Sequence, residues 1–170
     1  ELYLISPITE AGRFLRKEYF LTSQQRDIER QILKGIRQKY TGYYWFIGLP
    51  GTGKTLLLYD LAMKLSGRQK VCLIHCGRAG KEWRILHERL RRIDYLSDEQ
   101  IYENMDLSEY NGVLIDEAHL LSEENLQMIL QACGQQPVIF SSDCEDMISP
   151  EELDQNTVKA MRHLPEMQTY

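Results

Sequence analysis

Apolar positions in this chain fall into short blocks separated by polar stretches of a different period. "YYWFIG" (43–48), "KVCLIHC" (70–76), "GVLID" (112–116) and "PVIFSS" (137–142) are nearly unbroken apolar runs. Runs of that length suit strands buried on both faces. The stretches between them change to helical spacing. In "LTSQQRDIERQILKGIRQKY" (21–40), Ile28, Ile32, Leu33 and Ile36 recur every three or four residues, and Thr22 or Ser23 can cap the start. "GTGKTLLLYDLAMKL" reads as a loop running into a helix that stops near Gly67. "KEWRILHERLRR" (81–92) and "EENLQMILQAC" (123–133) are further helices. Ser149 and Pro150 make a good helix start for the residues that follow. Residues 94–110 are polar and acidic, with a short helix expected near 98–104. Strands alternating with helices predict an α/β fold, a parallel sheet with helices on both faces. Residues 1–17 form a lead-in segment with a short helix expected near 9–17, and residues 18–170 form the domain proper.

Charge refines this picture. The net charge is −5, but residues 1–92 carry 18 Lys/Arg against 8 Asp/Glu, whereas residues 93–170 carry 2 against 17. A basic half can attract phosphate polymers even in an acidic protein. The simpler reading is that the two halves attract each other once folded. No apolar run approaches the roughly 18 residues of a membrane span, so no membrane partner and a cytoplasmic setting are expected. Cys72, Cys76, Cys133 and Cys144 lack the paired spacing of a zinc site and read as free thiols. The chain starts at Glu1 and stops at Tyr170, and reads as a piece of a longer protein.

The strongest chemical signal is "GLPGTGKT" (48–55), a full G-x4-G-K-[ST] match with a strand before it and a helix after it. Gly48, Leu49, Pro50, Gly51, Thr52 and Gly53 let the backbone curl so that N–H groups face phosphate oxygens. The following helix adds its positive N-terminal end. Lys54 supplies a mobile charge for the β- and γ-phosphates, and Thr55 a hydroxyl for Mg²⁺. The expected cofactors are therefore ATP and Mg²⁺. "VLIDEAH" (113–119) follows on a later strand, whose C-terminal end should face the same crevice. Asp116 suits a partner of Mg²⁺, directly or one ligand removed, and Glu117 suits the group that polarises the attacking water. His119 either couples the site to a neighbouring motif or begins the next loop.

Other classes fit less well. "LSGRQ" (65–69) looks like an ABC-transporter signature but sits where the phosphate helix should stop. No N-K-x-D motif is present to read guanine. A small-molecule kinase would need a basic lid, which the acidic second half does not supply.

These residues resemble helicases of superfamily 1. "LTSQQ" (21–25) is similar to the L-x-x-x-Q motif whose Gln reads adenine, which implies that role for Gln25. "SDCED" (142–146) is similar to the motif that senses the γ-phosphate. Asp143 matches it, while Asp146 stands where a Gln is usual. In "GTGKTLLLYDLA", "VLIDEAHLL" and "VIFSSD" the chain more closely resembles the schlafen group 3-like bacterial ATP-binding proteins, described as DNA/RNA helicases. That resemblance covers roughly residues 18–170. It implies a RecA-like first core domain in which the strand near 138–142 lies between the phosphate-loop strand and the Asp116 strand. It also implies a second RecA-like domain beyond Tyr170 carrying an arginine finger, and slow hydrolysis without it.

"HCGRAGKEW" (75–83) occupies the place of the motif that touches single strands in such proteins, which makes Arg78 and Lys81 the candidates for single-stranded DNA or RNA. Trp83 at helical spacing from Leu86 and Leu90 suits packing better than base stacking. Arg162 suits packing or surface rather than catalysis. Two functions stay open: a nucleic-acid-dependent ATPase, and an ATP-binding switch controlling a fused effector.

Overall fold

A computed structural model of the protein describes residues 13, 15–16, 19–39, 42–48, 53–77, 88–143, 157–162, 164 and 167–170. The strands are β1 (Tyr43–Gly48), β2 (Val71–His75), β3 (Ile93–Ser97), β4 (Val113–Asp116), β5 (Val138–Asp143) and β6 (Gln168–Thr169). The helices are α1 (Ser23–Lys39), α2 (Lys54–Leu65), α3 (Glu123–Ala132) and α4 (Thr157–Arg162). The six strands form one sheet in the order β3-β2-β4-β5-β1-β6, with every pair parallel. β5 lies between β1 and β4, so this is a RecA-like α/β sheet.

Alternation along the strands separates two cores. Tyr44, Phe46, Leu73, Leu114 and Ile139 face α1 and α2. Trp45, Ile74, Val113, Ile115 and Phe140 face the other way, among Leu126, Ile129, Val158 and Met161. Sheet residues of this size each contribute about 1.5–3 kcal/mol when fully buried. α2 is apolar nearly all round because the sheet covers one side and α1 the other; Leu56, Leu58, Leu61 and Ala62 have no exposed surface. Where α1 passes β1 the approach is close: a Cβ at Gly35 would lie 2.8 Å from the Tyr44 hydroxyl, so the Tyr44 ring would have to shift. Among the described residues no helix is long and apolar enough to cross a membrane.

Two elements were not expected from the sequence. β3 lies in the stretch that reads as polar loop; it is an edge strand, and only its first residue, Ile93, is buried. Its Asp94 accepts a hydrogen bond from Tyr110 at 2.6 Å. Only the three-residue turn Asp98–Gln100 is helical in the region near 98–104. β6 is the second, a two-residue edge pairing with β1. The stop of α2 also differs in detail. Leu65 is its last residue, Ser66 closes it through an N–H bond to Ala62 O, and Gly67 does not take the left-handed conformation expected of a glycine cap. Most of the expected 81–92 and 150–164 helices lies outside the described residues. In the lead-in segment, Arg13 and Leu15 are helical.

Candidate nucleotide site

Parallel pairing sets the C-terminal ends of β1, β2, β4 and β5 side by side. In register, Gly48 faces Asp143 across β1–β5, and His75 faces Asp116 across β2–β4. The chain turns from β1 into α2 at Gly53, whose φ of 83° is left-handed and favours glycine. Lys54 and Thr55 are then the first residues of α2, and they meet the strand ends directly. Thr55 Oγ1 lies 3.3 Å from both carboxylate oxygens of Asp116, 61 positions along the chain. Lys54 Nζ lies 2.6 Å from Asp143 Oδ1, with both side chains largely buried.

Asp116 has no exposed surface. Besides Thr55, Ser141 Oγ donates to its Oδ1 at 3.0 Å, and His75 Nδ1 lies 3.1 Å from its Oδ2. A hydroxyl and a buried carboxylate are hard oxygen donors of the kind Mg²⁺ takes, one or two from protein and the rest from water and phosphate. The residues present therefore fit the ion. Glu117 follows with φ 56°, a left-handed conformation unusual for a residue with a Cβ. This bend takes its carboxyl out of the strand line. Burial, then the negative charges of Asp116 and Asp143, raise its pKa above the ordinary Glu value. A carboxylate so placed is a better proton acceptor than one in water.

No family model matches the chain, and no curated protein matches it. Among solved structures, the helicase domain of Hef from Pyrococcus furiosus is similar at 13% identity and a TM-score of 0.48, over 84% of this chain and 37% of that one. This chain thus corresponds to little over a third of that protein's length. The RecA-like assignment stands on the strand order above.

His119 is 3% exposed and packs against β5. The Asp143 backbone N–H donates to its Nδ1 at 3.3 Å, while its Nε2 lies 3.6 Å from Glu117 Oε2 and 3.5 Å from Asp143 Oδ2. These three side chains are close enough to suggest a metal cluster. The hydrogen bond argues otherwise: Nδ1 accepts, so in the neutral ring Nε2 carries the hydrogen and has no lone pair for an ion. His119 instead ties the end of β5 through the Asp143 N–H bond and lies between the Glu117 and Asp143 carboxylates.

Gln25 reaches the site's edge, with Nε2 3.4 Å from Gly53 O. It also has a structural task. Its Oε1 accepts the Thr22 N–H at 2.8 Å, and its own N–H donates to Thr22 Oγ1 at 3.1 Å. This reciprocal capping box was readable as T-x-x-Q in "TSQQ". The Arg162 guanidinium lies 6.0 Å from the Trp45 ring centroid. Leu49, Pro50, Gly51, Thr52, Arg78, Lys81, Trp83 and Asp146 lie outside the described residues. The residues that sequence reasoning missed are His75 and Ser141. Both sit in apolar strand runs, and only the pairing register turns them toward Asp116.

Proposed function

We propose that this domain binds ATP with Mg²⁺ and hydrolyses it, as the first core domain of a superfamily 1-like, nucleic-acid-dependent ATPase related to the schlafen group 3-like proteins. The observation that carries the reading is the meeting of Thr55 with Asp116, beside the Lys54–Asp143 pair and Glu117. Lys54 and the turn at Gly53 would bind the phosphates. Phosphate must replace Asp143 as the partner of Lys54, which links nucleotide occupancy to the end of β5. Thr55 and Asp116 would hold Mg²⁺, which neutralises phosphate charge when bound. Glu117 would take a proton from the attacking water. In this reading Gln25 contacts adenine, Arg78 and Lys81 contact single-stranded DNA or RNA, and a second RecA-like domain supplies an arginine finger. A cytoplasmic setting goes with it, supported by Cys72, Cys76 and Cys133 as free thiols.

Equilibrium binding of a fluorescent ATP analogue, with ATP and GTP as competitors, tests the reading. ATP should compete in a Mg²⁺-dependent way, and Lys54→Ala should abolish binding. Undiminished binding by Lys54→Ala would refute it. The second reading, an ATP-binding switch, draws support from Asp146 in place of the sensing Gln. ATPase activity of the full-length protein that single strands do not stimulate would favour the switch.

A further inference from the structure

His75 is a buried, polar end to an otherwise apolar strand: Val71, Cys72, Leu73 and Ile74 precede it with no exposed surface, and His75 itself is 7% exposed. Its register partner on β4 is Asp116. β4 is flanked by β2 on one side and β5 on the other. Each flank sends one side chain to the Asp116 carboxylate, His75 to Oδ2 and Ser141 to Oδ1. A carboxylate is an acceptor only, so the hydrogen of the His75 bond sits on Nδ1. The residue after His75 adds a backbone bond, Cys76 N–H to Asp116 O at 3.2 Å.

We propose that His75 is a positioning residue of the nucleotide site: it fixes the rotation of the Asp116 carboxylate, so that both oxygens stay turned toward Thr55. The inference rests on the ATP·Mg²⁺ reading of Thr55 and Asp116. The two oxygens turn together about the Cβ–Cγ bond, and Ser141 alone restrains that rotation through a single hydrogen bond at Oδ1. With His75 on the second oxygen, the plane of the carboxylate is set from two strands, before any ion arrives. A metal-binding carboxylate pre-oriented in this way loses less freedom on binding, and partners of this kind change metal affinity by about 10- to 100-fold.

The test uses binding rather than turnover. N-methylanthraniloyl-ATP is titrated into wild type, His75→Ala, His75→Asn and His75→Gln, first in EDTA and then against increasing Mg²⁺. Asn can present an N–H near the place of Nδ1, whereas Gln presents it near Nε2. The expected result is a Mg²⁺ midpoint raised about 10-fold or more in His75→Ala and His75→Gln, and a near wild-type midpoint in His75→Asn. Affinity in EDTA should be equal within about twofold for all four, a readout that general loosening of the fold would move. If His75→Ala fails to fold, the Asn and Gln variants decide the matter between them. Equal Mg²⁺ midpoints for Asn, Gln and wild type would overturn the inference and leave the site reading intact. Absence of Mg²⁺-dependent nucleotide binding by the wild type would overturn both.

Discussion

A charged cluster joins α1, α2 and the segment before α1, away from the nucleotide site, and it makes stability depend on pH. The Glu29 and Asp60 carboxyls both face Lys64. Lys64 donates to Glu29 and lies 3.1 Å from Asp60 Oδ2, and Tyr19 donates to Asp60 Oδ1 at 2.5 Å. Glu29 is 4% exposed. Burial first, and then the neighbouring Asp60 carboxyl, push its pKa from 4.5 up to about 7, against the opposing pull of Lys64. Asp60, despite burial, is held below its ordinary value by its hydrogen bonds. The physical reason is the count of charges: one lysine neutralises one carboxylate, so the second keeps its proton. Because the folded pKa of Glu29 is raised, its contribution is fully present below about 4.5 and is lost as pH climbs through about 7. The Asp60 contribution has the opposite sign and is lost only in acid below 3.8, and the raised Lys64 value matters only above 10.5, so neither falls in that window. A rise of this size corresponds to about 3 kcal/mol. Relaxation of the surroundings around the charge lowers the effective figure, so about 2 kcal/mol is expected between pH 5 and pH 8.5. In Glu29→Gln the amide can donate to Asp60 and accept from Lys64 at every pH, and this loss should vanish. Urea unfolding of both proteins across that range gives the difference directly. Wild-type and Glu29→Gln stabilities that run parallel with pH would refute the reasoning.

Gln25→Ala should lower the thermal stability of the nucleotide-free protein by an equivalent of about 1 kcal/mol, through loss of the capping box; a residue that served only adenine would leave the nucleotide-free melting curve unchanged. Glu117→Gly should unfold no more easily than wild type and up to about 1 kcal/mol less easily, because the left-handed backbone no longer carries a Cβ, while ATP turnover is lost; a marked loss of stability in chemical denaturation would contradict the backbone argument. Gly53→Ala should do the reverse, costing about 1–2 kcal/mol at the left-handed start of α2, measured in the same way. Arg78→Ala combined with Lys81→Ala should weaken single-strand binding by the full-length protein and flatten its salt dependence in fluorescence anisotropy; an unchanged salt slope would remove these two residues from the nucleic-acid reading.

Local pattern alone determined much of this protein. The runs at 43–48, 70–76, 112–116 and 137–142 became β1, β2, β4 and β5 because strands buried on both faces leave almost no polar position to blur them. The G-x4-G-K-T match and the Asp116-Glu117 pair were visible at once because each is a set of residue types in fixed order along a short stretch. The edge of the sheet was not legible. β3 is half-covered and β6 is two residues long, so neither carries enough apolar sequence to be told from a loop. The surroundings of Asp116 were hidden for another reason. His75 and Ser141 are separated from it by 41 and 25 positions, and their direction depends on strand register, which no local window contains. Gln25 shows both limits together: the resemblance of its motif implies adenine, its immediate neighbours suggest a helix cap, and only the folded chain shows the side chain serving Thr22 and Gly53 at once. The sequence by itself displayed the residue types that the proposed chemistry needs. Tertiary pairing decided which residues orient it, because orientation comes from strands that are neighbours in space and distant along the chain.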